Sequence, residues 1–132
     1  MRHPFVEAGI DKRTVRALAA RLGLGGVAAL PAAPCLSSRI ETGLSIEAPL
    51  LAMIHDAERL VGAALSPRTV RCRVRAAAVV IELDVVTLAR LDAAREAALR
   101  ASVAGLVRQA GLCRPVGFAA YRTGSAFLRK RA

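Results

Sequence analysis

The segment PAAPCLSSRIETG, residues 31–43, places a cysteine after a proline pair, then two hydroxyls, then an arginine. The thiolate is the nucleophilic form of cysteine, and neighbouring positive charge lowers the thiol pKa. Arg39 follows Cys35 by four residues, Ser37 and Ser38 supply donors, and Pro31 and Pro34 stiffen the approach. The serine hydroxyls, their backbone N–H groups and Arg39 can together cradle an oxyanion. Spacing alone favours the plainer alternative, a buried loop cysteine acting as a small hydrophobe.

Two further groups carry charge in a pattern. In RCRVR, strict alternation on a strand puts Arg71, Arg73 and Arg75 on one face with no acid between them. Such a row can clamp a phosphate or carboxylate bidentately; the alternative is a solvated sheet face. In YRTGS, Gly124 permits a tight turn on which Arg122, Thr123 and Ser125 can meet an anion; the alternative is a strand-ending turn with Tyr121 packed behind it. His55 shares a helix with Asp56 and Glu58, which reads as an acid–base group or as a solvated helix face. Cys35, Cys72 and Cys113 form no CxxC pair and no His–Cys zinc spacing. GLGGVAAL has neither the lysine nor the strand-then-helix context of a phosphate-binding loop.

Elements must hold these groups, and 132 residues suffice for one modest core. Aromatics are 3% of the chain, so that core is built from Leu, Val, Ile and Ala. DKRTVRALAARLG reads as a helix capped by Asp11 and ended by Gly23. A long loop follows, and long loops in compact domains are often functional. Ser45 restarts a helix, with Pro49 in its first turn. TVRCRVR and AVVIELDV form a hairpin. TLARLDAAREAALRASVAGLVRQAG is one helix, with Leu88, Leu91, Ala94, Ala98, Val103 and Leu106 on one face and Gly111 at its end. CRPVGFAAYRTGS gives a last strand. The order is α, loop, α, β, β, α, β: an α+β fold with a sheet of about three strands and helices packed on it.

The net charge of +10 invites anionic partners, but the arginines are scattered among alanines without aromatic interleaving. Nucleic-acid binding is therefore not the expected role. The N-terminus has no apolar signal region and no apolar run spans a bilayer, so a reducing, cytoplasmic setting without membrane is expected.

Taken in order, VEAGIDKRTVRALAARLGL, PAAPCLSSRI, the helix with AERL, VRCRVR and YRTGS resemble the ATP-dependent sacrificial sulfur transferases of the LarE type. These belong to the PP-loop (adenine nucleotide alpha hydrolase) superfamily and build the nickel-pincer nucleotide cofactor. The resemblance runs over nearly the whole chain, and PAAPCLSSRI is its most specific element. It implies that a carboxylate of a pyridinium biscarboxylate mononucleotide is activated with ATP and magnesium, and that Cys35 attacks the acyl group. The carbon–sulfur bond of Cys35 then breaks, leaving dehydroalanine in the protein and a thiocarboxylate on the product. Glu58 matches an acidic position near the cysteine and Ser38 and Arg39 its flanking residues. Arg71 and Arg73 match arginines near the substrate phosphate, with Arg122 and Ser125 as further anion ligands.

The family's SGG-x-DS loop for ATP phosphates does not occur in this sequence. The resemblance therefore makes residues 1–30 the end of a PP-loop domain and 31–132 the sulfur-donating domain, working beside a PP-loop chain. In this chain AAL, AAA and YRTGSAF stand where the family carries a Trp-Asp-Lys run, a histidine-rich turn and YRSGSMN. One branch of the family gathers three cysteines around an iron–sulfur cluster, and three cysteines exist here. Two other readings remain: a non-catalytic binding module derived from the family, and a homo-oligomer.

Overall fold

The computed structural model describes residues 3–28 and 35–122. The chain divides into two compact units, Met1–Pro34 and Cys35–Ala132.

In the first unit, Asp11 opens the main helix as its sequence suggests. Its carboxylate accepts the Thr14 N–H at 2.7 Å, and that bond holds the acid below the usual carboxylate range. The helix, α2 (Lys12–Arg21), is flanked by short helices α1 (Pro4–Glu7) and α3 (Gly25–Ala28). Gly23, at φ +79°, takes the left-handed conformation after α2 that side chains resist. None of the three helices buries a residue, and Phe5, Val6, Leu22 and Val27 stand more than half exposed.

In the second unit the alternating valines become a sheet. Strands β1 (Val70–Val74) and β2 (Val79–Leu83) pair antiparallel, and β3 (Val116–Ala120) adds parallel to β2, giving the order β1-β2-β3. Because side chains alternate across a strand, register sorts them into two faces. One face carries Cys72, Val74, Val79, Ile81, Leu83 and Val116, all buried. Against it pack Met53, Ile54, Ala57 and Val61 of α4 (Ala48–Leu65) and Val103 and Val107 of α6 (Ala93–Gln109). Each large side chain fully buried there contributes about 1.5–3 kcal/mol. The other face carries the arginine row. The α+β class expected from the sequence is the fold observed.

Two expected elements differ. The single helix over 87–110 is two helices, α5 (Val85–Ala89) and α6, because two aspartates each start one. Asp84 accepts the Thr87 N–H at 3.0 Å and Asp92 the Arg95 N–H at 2.8 Å. The helical phase restarts at the second cap. Leu99, Val103 and Val107 are therefore the buried stripe, while Leu88, Leu91 and Leu106 only flank the core. Helix α4 starts at Ala48 rather than Ser45, with Glu47 at the N-cap and no capping side-chain bond. Among the described residues no helix is long and apolar enough to cross a membrane.

Candidate functional site

Strand β1 is an edge strand, and an unpaired edge presents a row of N–H and C=O groups. Residues 36–41 and Glu58 cover it. Leu36–Arg39 form a 3₁₀ turn. Ile40 then bridges in parallel to Val74, the Glu41 N–H donates to the Val74 carbonyl at 2.9 Å, and Glu58 accepts the Cys72 N–H at 2.9 Å. The cysteine loop is thus docked onto the sheet by main-chain bonds.

Cys35 heads this turn and is exposed. Its Sγ lies 2.8 Å from Ser37 Oγ. The Ser37 hydroxyl first, and the Ser38 backbone N–H second, hold the thiol below its ordinary pKa, with slight opposition from burial. Hydrogen bonds thus do the work that sequence spacing suggested for the arginine. Arg39 reaches the Cys35 carbonyl instead, at 3.4 Å. That carbonyl also accepts the Ser38 N–H at 3.0 Å and the Ser38 hydroxyl at 2.8 Å. Three donors converge on one oxygen, while the sulfur of the same residue faces solvent. A cleft of about 410 Å³ opens beside the turn, lined by Ser37, Ser38, Ile40, Leu44 and Ile46 among others.

The turn is held from beneath by two ion-paired groups. Arg39 is 5% exposed, and its Nε donates to Glu58 Oε1 at 3.0 Å. Arg73 is buried as well: Nε donates to Glu82 Oε2 at 3.1 Å and Nη1 to the Ser38 carbonyl at 2.8 Å. Glu82 also accepts from Arg75 Nη2 at 3.1 Å. Within the group of Arg39, Arg71, Arg73, Arg75, Glu58 and Glu82, positive charge exceeds negative by two. Arg71, half-buried, is held below the ordinary arginine range by burial first and the Arg39 guanidinium second, with Glu58 and Tyr121 acting in the opposite sense.

The structure therefore brings Cys35, Ser38, Arg39, Glu58, Arg71 and Arg73 together and divides their roles. Cys35 presents the thiol. Glu58, expected among the catalytic residues, holds Arg39 and the strand edge; none of its observed bonds goes to the sulfur. Arg73, expected at a phosphate, is committed to Glu82 and the turn. Arg122 is exposed at the end of the described chain, and Thr123, Gly124 and Ser125 lie outside the described residues. His55 and Asp56 are exposed on α4.

Glu82 escaped the sequence reading, which found no acid on the arginine face. The signal was present: in VVIEL, Ile81 and Leu83 point into the core, so Glu82 must share the opposite face with Arg71 and Arg73 once the strands pair.

Cys72 is sealed in the core, where burial first pushes its thiol up to about 12. It cannot join the exposed Cys35 and Cys113 around a cluster, so the three-cysteine arrangement is not assembled. Among the described residues no three His, Cys, Asp or Glu side chains are arranged to hold a metal ion. The glycine-rich segment forms α3, a helix of four residues, GGVA. The chain matches no protein-family model and no curated protein.

Proposed function

We propose that this chain is the sulfur-donating domain of a sacrificial sulfur transferase. It acts on a pyridinium biscarboxylate mononucleotide in nickel-pincer cofactor synthesis, beside an ATP-binding PP-loop domain on this or another polypeptide. The observation that carries the reading is the pairing of an exposed, activated thiol with a triply bonded carbonyl on the same residue. In the first step the Cys35 thiolate attacks the activated acyl carbon, and the leaving group departs with its electron pair, giving a thioester. In the second a general base removes the Cα proton of residue 35. The Cβ–Sγ bond breaks with its electrons going to sulfur. Dehydroalanine remains in the chain and a thiocarboxylate leaves.

Removing the Cα proton pushes negative charge onto the Cys35 carbonyl oxygen. Ser38 N–H, Ser38 Oγ and Arg39 Nη1 already point at that oxygen. Donors preset where charge develops act as an oxyanion hole. A cysteine that only forms and releases a thioester needs no such arrangement on its own carbonyl. The excess positive charge around Arg71 suits a phosphorylated acceptor. A reducing, cytoplasmic setting, which keeps Cys35 reduced, belongs to the same reading.

Intact-mass spectrometry tests it. The chain is mixed with the nucleotide, ATP and a PP-loop protein, or given the preformed acyl adenylate directly. Residue 35 is expected to lose the elements of hydrogen sulfide, in step with thiocarboxylate formed. Sulfurated product with Cys35 intact would refute the reading. Conversion from ATP by the chain alone would refute the division of labour.

A second reading, a binding or homo-oligomerising module without catalysis, is favoured by the exposed Phe5, Val6, Leu22 and Val27 of the first unit. Light scattering at the monomer mass would count against the oligomer. A Cys35→Ala chain that keeps its cellular role would favour this module over sulfur donation.

A further inference from the structure

A second hollow lies where the start of α4 meets the chain leaving α6. It measures about 270 Å³, and Leu44, Glu47, Leu50, Leu112 and Arg114 are in its wall. It shares Leu44, and no other side chain, with the cleft beside the cysteine turn. The way α6 ends builds one side of it. Gly111, at φ +77°, takes the left-handed conformation just after the helix. Its N–H bonds to the Arg108 carbonyl at 2.9 Å and the Leu112 N–H to the Val107 carbonyl at 3.0 Å, the paired closure that reverses a chain at a helix C-terminus. Leu112 and Arg114 are thereby brought to the same hollow as Glu47 and Leu50 of α4.

Two charges of opposite sign border this hollow, and the fold pairs neither. Glu47 stands at the N-cap of α4, a position that favours Ser, Thr, Asp or Asn because a short side chain reaches the first N–H groups. Its side chain makes no capping bond and is exposed. Arg114 is half-buried, and its Nη1 donates to the Arg75 carbonyl at 2.8 Å. That bond orients the guanidinium and uses one of its several N–H donors. Among the described residues no carboxylate lies within ion-pair distance of Arg114, that of Glu47 included. Leu44, Leu50 and Leu112 supply apolar wall, each half-buried against the core.

We propose that this hollow binds a free amino acid with a branched aliphatic side chain, of the size of leucine. Its carboxylate meets Arg114, its ammonium meets Glu47, and its side chain lies against the three leucines. A guanidinium holds a carboxylate through two parallel N–H bonds. An apolar wall with a few convergent polar groups is the usual form of a small-molecule site. The 270 Å³ equals the share of about nine waters at about 30 Å³ each, which suits one such molecule. A polypeptide answers the pair of charges less well, since neither of its ends carries both an ammonium and a carboxylate. The site uses none of the residues assigned to sulfur donation.

Calorimetric titration of the full chain compares leucine with three relatives that each lack one part: isocaproate without the ammonium, isopentylamine without the carboxylate, and glycine without the side chain. Leucine is expected to bind at least about tenfold more tightly than each, as one charge-assisted hydrogen bond or one buried side chain supplies. Amide shifts in NMR spectra should gather at residues 44–50 and 110–114. The Glu47 side chain makes no bond in the fold, so Glu47→Gln should keep the melting temperature. It should weaken leucine about tenfold and leave isocaproate unchanged. Arg114→Gln should do the converse, weakening leucine and sparing isopentylamine.

Equal affinity for leucine and isocaproate, binding of none of the four into the millimolar range, or a leucine preference that survives Glu47→Gln would overturn the site. So would shifts confined to the cysteine turn, which would put the ligand in the other cleft. Leucinamide bound as tightly as leucine would also refute it, because the hollow would then take the N-terminus of a polypeptide.

Discussion

Replacing Glu58 by alanine is expected to be among the most damaging single changes outside the apolar core. The carboxylate meets Arg39 at 3.0 Å, with side-chain exposures of 14% and 5%, and its Oε1 also takes the Cys72 N–H. Removing one partner of a buried ion pair costs about 3–5 kcal/mol because the other charge is stranded. Glu58 is partly wet, so the low end applies, about 3 kcal/mol. The Cys72 N–H, left unsatisfied, adds about 1 kcal/mol. A loss near 4 kcal/mol is a large share of the about 5–15 kcal/mol that holds a domain together. Glu58→Gln keeps acceptors for both donors and should cost about half as much.

The double variant Arg39→Met/Glu58→Leu removes both charges and should recover to within about 2 kcal/mol of the parent, since apolar replacements of buried pairs are often neutral. Urea unfolding followed by circular dichroism measures all four proteins, with a constant m-value as the check on two-state behaviour. Glu58→Ala within about 1 kcal/mol of the parent would refute the view that Glu58 anchors the turn. So would a double variant no more stable than the worse single one.

Three further outcomes are expected. Ser38→Ala should slow elimination far more than thioester formation, by about 100-fold for a lost oxyanion donor, so an acyl-bound chain accumulates in the mass spectrum. Equal slowing of both steps would dismiss the carbonyl hole. Ser37→Ala, in a Cys113→Ser background, should move the pH midpoint of Cys35 alkylation upward and slow it at neutral pH, because the Ser37 hydroxyl no longer donates to the thiolate; an unmoved midpoint would exclude Ser37. Cys72 should resist alkylation in the folded chain and add an alkaline limit to stability. Its folded thiol titrates at about 12 against 9.0, so the folded state holds the proton longer. The stability from this group is complete below about pH 9 and is lost as pH rises toward 12, by about 1 kcal/mol per pH unit in between. Cys72→Ala should flatten that decline, as urea melts near pH 8 and 10 would measure; an unchanged slope would mean the thiol is not desolvated.

Local chemistry was legible wherever it decided structure unaided. Asp11 capped its helix, Pro49 sat in a first turn, Gly23 and Gly111 ended helices at positive φ, and the alternation of VRCRV sorted Cys72 from its arginine neighbours. Asp92 shows the limit of periodicity. A leucine and alanine pattern continued through it, yet a capping carboxylate outweighed the pattern and reset the phase. The 3₁₀ turn was hidden for another reason. Four residues of LSSR carry no period, and their geometry comes from Glu58 and Arg73, which are distant in sequence.

The arginine row shows why a site is harder to read than a face. Period two assigns residues to a side of the sheet; charge says that this side is not core. Neither says which guanidiniums a ligand can use. That is decided by carboxylates delivered from elsewhere: Glu82 from the next strand commits Arg73 and Arg75, and Glu58 from α4 commits Arg39. The two acids thereby turn most of the row into scaffold, and they do so beneath the turn that carries the thiol. The same ion pairs that hold the buried Arg39 and Arg73 keep the Cys35 carbonyl among its donors. Stability and chemistry meet in those two glutamates, so a variant there should disturb the turn and the thiol together, whereas Cys35→Ser, at an exposed position, should abolish donation and leave the fold alone.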